Sequence, residues 1–255
     1  MSSLLFPIFV STFVLAFFRI AGMMLFAPLF GSSRIPRRVR VMLALVLAMS
    51  ITPSVHPVAL PDTPWGLVAG IAGEMAFGFA MGMIQSFTFI AAQWAGEIVG
   101  QQMGLNLSSV FDPQFGAQGS VLGDMYFMLT LVIFLAVGGH HAMLLGLRDS
   151  FDAVPLLQLG VDAPLFDTLT GFLEAATKLA LRLAAPMLVT MLVVDLALGL
   201  VGRIVPQMNV MAMGMSLRSA LGLVVVILGL AMTNDALRDG VAGAMEMVRA
   251  QWVSG

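Results

Sequence analysis

Long apolar runs, broken by short polar or proline-marked stretches, set the pattern of this chain. Six runs occur, at about residues 4–30, 39–59, 64–100, 122–147, 164–202 and 210–247, and each predicts a helix. A membrane span needs ~20 apolar residues, so all six are on that scale. The breaks carry proline, glycine or charge: "GSSRIPRRVR" at 31–40, "TPSVHPVALPDTP" at 52–64, "DSFDAVPLLQLGVDAP" at 149–164 and "RIVPQMN" at 203–209. Proline and glycine there interrupt helix and favour turns. The third and fifth runs exceed one perpendicular span, which predicts tilted or kinked helices, or helices partly outside the hydrocarbon.

Composition places these runs in a membrane. Hydrophobic residues make up 59% of the 255 residues and charged residues 10%, with a mean hydropathy of +0.98. Soluble domains average roughly 45–50% apolar and about 25% charged residues. The expected fold is therefore all-α and polytopic, with about six long hydrophobic helices. A net charge of −2 gives no electrostatic footprint for nucleic acid. With no cysteine, disulfides and thiolate metal sites are excluded. The opening "MSSLLFPIFVSTFVLAFF" lacks the basic n-region of a secretory signal, and its apolar run continues past Arg19, so it is expected to stay as a first helix. No internal repeat stands out, which weakens an inverted-repeat transporter.

Charge suggests an orientation. Arg34, Arg37, Arg38 and Arg40 concentrate a third of the 12 Lys and Arg residues in one short loop, which the positive-inside rule places in the cytoplasm. With six spans, residues 101–120 and Arg203 would share that side.

The helix faces carry two further patterns. Gly66, Gly70, Glu74, Gly78 and Gly82 recur every four residues in the third run, followed by Ala92, Gly96, Gly100 and Gly104. Small residues so spaced let helix backbones approach closely, either within the chain or against another subunit. Ionisable residues are embedded as well: Glu74 and Glu97 in the third run, and Glu174, Lys178, Arg182 and Asp195 in the fifth. A charge at the bilayer centre costs at least ~2.5–3.5 kcal/mol, so these side chains should face protein or water. Glu174 and Lys178 have the favourable i, i+4 order, and Asp195 and Arg203 lie eight residues apart on another stripe. Structural pairing is one reading. An ion relay, which needs a carboxylate without a nearby cation, leaves Glu74 and Glu97 as candidates. The methionine group Met208, Met211, Met213 and Met215 suits core packing or a deformable seal.

The stretch "QQMGLNLSSVFDPQFGAQGS" at 101–120 differs from every other break. It is long and amide- and glycine-rich, with Asp112 as its one charge and Pro113 as its one proline. It is too polar for lipid and too nearly neutral for an ordinary water-facing loop.

Enzyme chemistry finds little support. Ser108 and Ser109 lie near Asp112, but no G-x-S-x-G elbow is present. His140 and His141 are adjacent, so on a helix they point ~100° apart, unlike the i, i+4 pair of a zinc helix. No strand precedes a glycine-rich nucleotide loop, and no GK[ST] occurs. No catalytic residue, cofactor or metal is expected.

Four stretches in order carry a family resemblance: "PLFGSSRIPRRVRVMLAL" (28–45), "GEMAFGFAMG" (73–82), "AGEIVGQQMGLNLSSVFDPQ" (95–114) and "LGLVGRIVPQMNVMAMG" (198–214). Together they resemble the FliR family of flagellar export-gate proteins, called SctT in virulence type III secretion. The resemblance covers nearly the whole chain. "QQMGLN" and "PQMN" look more like the flagellar branch, while Met211 and Ser216 stand where many members have Phe and Pro.

The resemblance implies one export-gate domain over 1–255. It would join FliP-like and FliQ-like subunits, with FlhB-like and FlhA-like export proteins, at the flagellar basal body in the bacterial inner membrane. That assembly would pass unfolded flagellar proteins. Residues 101–121 would form a plug in the passage, where unpaired amides meet water and protein rather than lipid. Its assigned residues are Gln101, Gln102, Asn106, Phe111, Asp112, Pro113, Phe115, Gly116 and Gly119, with Gln114 as a further amide. The amides would hydrogen-bond without strongly attracting ions, the two phenylalanines would exclude water, and Gly116 and Gly119 would let the loop change shape. Gly70, Gly78, Gly82, Gly96 and Gly100 would serve helix packing, and Pro206, Gln207, Met208 and Asn209 would form a partner-facing loop. The alternatives are an ion-coupled secondary transporter and a structural membrane scaffold.

Overall fold

The computed structural model describes residues 2–28, 30–31, 35–61, 63–105, 120–158, 163–205 and 210–253. Among them the regular structure is helical, with no strand. Among the described residues seven α-helices follow one another: α1 (Ser2–Phe26), α2 (Arg37–Ile51), α3 (Pro64–Gln102), α4 (Val121–Ala136), α5 (Gly139–Ala153), α6 (Ala163–Ile204) and α7 (Val210–Val253). Three helical stretches, Ile8–Phe26, Pro64–Gln102 and Thr170–Ile204, are long and apolar enough to cross a membrane. The count rises to five if α4 with α5, and Met213–Gly229 with Thr233–Gly243, are each taken as one broken span. The fold is thus an all-α polytopic membrane protein.

Two of the six expected helices differ from the sequence reading. The run at 39–59 stops being α-helical at Ile51, passes through a 3₁₀ turn at Thr52–Ser54 and becomes extended at Val55. Pro53, Pro57 and Pro61 explain this, since each biases the residue before it away from helix. At 15 residues, with Arg37, Arg38 and Arg40 in its first turn, α2 is too short and too charged to count among the spans. The run at 122–147 breaks at 137–138, where Gly138 takes φ 78°, a left-handed conformation that costs glycine little.

Two compact units make up the structure. The first comprises residues 1–87, 138–173 and 242–255. Its core joins α1 (Leu15, Ile20, Met23), α2 (Ala44, Ala48), α3 (Phe77, Met81) and α5 (Leu147, Phe151). The extended Val58 is tied to α1 on both sides: its N–H donates to Thr12 Oγ1 at 3.0 Å, and its carbonyl accepts from Ser11 Oγ. The second unit comprises residues 88–137 and 174–241. One of its clusters gathers Ala92, Ala95, Tyr126, Ile133, Leu183 and Leu237. Another gathers Val99, Met103, Leu122, Met187, Met191 and Val226. Phe89 adds ring contacts to Phe127 and Phe134, with centroids 5.6 and 5.4 Å apart.

The candidate gate loop and the embedded charges

Both ends of the amide-rich loop are built as deliberate helix ends. At the C-terminus of α3, Gly104 takes φ 75° and its N–H donates to the Gln101 carbonyl at 3.0 Å. The Leu105 N–H reaches back to the Gly100 carbonyl, also at 3.0 Å. This is a Schellman stop, in which glycine supplies the left-handed residue and two terminal carbonyls are satisfied. At the other end, Ser120 is the N-cap of α4, its hydroxyl accepting from the Gly123 N–H at 3.4 Å, with Asp124 in the first turn near the positive end of the helix dipole.

The two stems meet backbone to backbone. A Cβ at Gly96 would fall on the Leu122 carbonyl oxygen, and one at Gly123 would lie 3.2 Å from Glu97 Cγ and 3.3 Å from the Gln93 carbonyl oxygen. Gln101 is exposed, Gln102 is half-buried, and Gly100 is buried. The rest of the expected plug, Asn106, Phe111, Asp112, Pro113, Phe115, Gly116 and Gly119, lies outside the described residues, as do Ser108, Ser109 and Gln114. Pro206, Gln207, Met208 and Asn209 lie outside them too.

The first glycine row is used inside the first unit. A Cβ at Gly78 would overlap the Arg19 carbonyl oxygen, one at Gly82 the Met23 carbonyl oxygen, and one at Gly22 the Met75 carbonyl oxygen. These three glycines let α1 and α3 cross with their backbones touching. Gly70 faces only the tip of Leu157.

The embedded charges sort differently from the sequence reading. Glu74 is fully buried but has a cation: its Oε2 accepts from Arg19 Nε at 2.6 Å. Arg19 Nη1 also donates to the carbonyls of Ser150 (3.0 Å) and Val154 (2.9 Å), and Glu74 Oε1 accepts the Leu157 N–H at 2.8 Å. The rings of Phe77 and Phe151 each lie 4.7 Å from the guanidinium carbon. The relay expectation for Glu74 is therefore corrected, because both of its oxygens are engaged. Arg19 is the buried charged group that sequence reasoning missed. The available signal was one arginine interrupting a 25-residue apolar helix. Glu97, half-buried beside Gly123, makes no ion pair among the described residues.

Glu174 and Lys178 do pair, at 2.5 Å, but both are exposed on this chain. Arg182 reaches Asp239 at 3.9 Å, and Asp195 pairs with Arg218 at 2.5 Å rather than with Arg203. The expected burial of Glu174, Lys178, Arg182 and Asp195 is thus corrected for the chain itself. The inward residues of α6 include Phe172, Ala176, Ala180, Leu183, Met187 and Met191, and the four charges are exposed or half-exposed beside them. His140 and His141 stand at the start of α5, with ring centroids 6.1 Å apart. Among the described residues no group of three or more His, Asp or Glu side chains could hold a metal ion.

Comparison with known proteins agrees with the motifs. Residues 10–243 match the family described as bacterial export proteins, family 1. The flagellar biosynthetic protein FliR of Bacillus subtilis (strain 168) is 31% identical over 93% of this chain and 93% of its own length. That of Aquifex aeolicus (strain VF5) is 30% identical over 87% of this chain and 86% of its own. The surface presentation of antigens protein SpaR of Salmonella typhimurium is 26% identical over 86% and 82%. With the family match over residues 10–243 and these relatives 30–31% identical over most of the chain, the chain belongs to the bacterial export proteins of family 1, as a member of the FliR family.

Proposed function

We propose that this protein is a subunit of the flagellar type III export gate in the bacterial inner membrane. There it forms part of the channel for unfolded flagellar proteins and plugs it with residues 101–121. The observation that carries this reading is the family match over 10–243, which includes the whole loop. The loop's two capped ends add to it: a segment entered by a Schellman stop and left by a serine cap emerges at one place from helices held together at Gly96 and Gly123. FliP-like and FliQ-like subunits are the proposed neighbours, with FlhB-like and FlhA-like proteins beside them. The arginine-bearing α2 end belongs on the cytoplasmic side. The protein acts as a conduit rather than an enzyme. An ion-coupled transporter is disfavoured, because it would have to work through Glu97 without Glu74.

The test is deletion of residues 106–119 in the protein co-expressed with its FliP-like and FliQ-like partners. The expected result is a complex of normal subunit composition by native mass measurement that leaks small ions. Gly116→Asp should leak less than the deletion, since it keeps the bulk of the loop. A correctly assembled deletion complex with unchanged membrane conductance would overturn the plug.

The exposed pair on α6 tests the partner surface. It sits in a helix apolar enough to span, so its surroundings come from neighbours rather than from this chain. Lys178→Met is expected to lower the yield of assembled complex, and the double change with Glu174→Leu to restore much of it, because removing one partner of a desolvated pair is worse than removing both. Equal loss in the single and the double variant would mean that each residue has its own partner elsewhere.

A further inference from the structure

Met103 is the last residue before Gly104 leaves the α3 helix, and a helix end leaves its final carbonyls unpaired. The Schellman stop satisfies those of Gly100 and Gln101. The Met103 carbonyl is satisfied from elsewhere: Ser219 Oγ, on α7, donates to it at 2.8 Å. One turn further along α7, Gly222 leaves room for the Met103 side chain, which a Cβ at that position would strike at Cγ and crowd at Sδ (3.0 Å). Met103 itself is buried among Val99, Leu122, Met187, Met191 and Val226.

Ser219 bonds away from its own helix. Several helical hydroxyls turn back onto their own helix three or four residues earlier, as Thr12 does to Ile8, Ser86 to Met83, Thr130 to Tyr126, Ser150 to Leu147 and Thr190 to Pro186, while Ser11 adds a bond to the Val58 carbonyl. Such back-bonding satisfies the hydroxyl within its own helix, at a slight cost to helix geometry. Ser219 instead spans 116 residues of sequence to cap another helix.

We propose that Ser219 and Gly222 form a seat on α7 that holds the end of α3, and are positioning residues for the closed state of the gate. This rests on the export-gate reading above, and it adds that α7 sets where the chain leaves α3. A hydroxyl on one turn and a missing side chain on the next fix Met103 in both rotation and depth. Loosening the seat should free the last turn of α3 without unfolding the bundle.

The experiment uses the gate co-expressed with its partner subunits and reads two quantities. One is resting ion conductance in a planar bilayer. The other is the labelling rate of Leu105→Cys by a membrane-impermeant maleimide, a clean probe because this chain has no cysteine of its own. Ser219→Ala is expected to raise both several-fold in assembled complexes, and Ser219→Thr, which keeps the hydroxyl, to stay near the wild-type value. Combined with deletion of 106–119, Ser219→Ala should add no further leak. If Ser219→Ala does not assemble, Gly222→Ala, which crowds Met103 but leaves the hydroxyl, carries the same comparison. An assembled Ser219→Ala gate with unchanged labelling and conductance, beside a leaking loop deletion, would overturn the seat and leave the plug standing. A loop deletion that assembles and does not leak would instead overturn the plug, and with it the gating role of the seat.

Discussion

Arg19→Met is expected to remove most of the folded protein from the membrane. Arg19 and Glu74 are both fully buried, and the guanidinium holds three groups from different parts of the chain: the Glu74 carboxylate and the carbonyls of Ser150 and Val154. Losing the cation strands a buried carboxylate, which costs about 3–5 kcal/mol. That is a large share of the roughly 5–15 kcal/mol by which folded domains are stable. The damage also spreads to the turn after α5. Leu157 there has φ 66°, a conformation a non-glycine residue adopts at some cost, and its N–H is held by Glu74 Oε1. The double variant Arg19→Met with Glu74→Met should recover part of the loss. It removes the stranded charge but leaves the Ser150 and Val154 carbonyls and the Leu157 N–H without these partners, at about 1–3 kcal/mol for each buried group. The measurement is thermal unfolding of the co-purified complex, with membrane-integrated protein quantified in parallel. A single variant that melts like the wild type, or a double variant no better than the single, would refute the clamp.

Gly78→Leu should be comparably severe for a different reason. The first atom of any side chain at Gly78 meets the Arg19 backbone carbonyl, and backbone on both sides leaves nothing flexible to give way. Overpacking of this kind typically costs 1–3 kcal/mol, about the range expected for Gly78→Ala, and leucine must force α1 from α3 altogether. The same displacement pulls Arg19 away from Glu74, so the loss should exceed the steric cost alone. Neighbouring glycines calibrate the effect. Gly70→Ala meets only the end of the Leu157 side chain and should be mild. Gly199→Ala meets nothing within 4 Å and should be neutral or slightly stabilising, since alanine is favoured over glycine in a helix interior by about 1 kcal/mol. The order Gly199, Gly70, Gly78 in loss of melting temperature is the expected outcome. Equal effects at the three positions would show that helix propensity, not the α1–α3 crossing, dominates.

How much of this was legible in the chain depended on the range of the interaction. Apolar runs longer than a soluble helix needs, and breaks marked by proline and glycine, are local properties. They predicted an all-α membrane protein and the place of its unusual loop. The motifs around residues 28–45 and 95–114 carried the family, because family motifs are strings of neighbours. Hydropathy does not mark every local break: Gly138 ends its run because one glycine in a left-handed conformation stops a helix that the apolar pattern extends through.

Partner choice was not local. Arg19 finds Glu74 across 55 residues, Ser219 finds Met103 across 116, and Asp195 takes Arg218 from the facing helix over Arg203 on its own. Sequence spacing tells which side chains share a helix face, but not which face of another helix will meet it. That choice is made where small residues let two backbones touch, as at Gly22, Gly78 and Gly82. Once α1 and α3 lie at contact there, a buried arginine has only the groups of that crossing and of the chain packed against it with which to offset its desolvation.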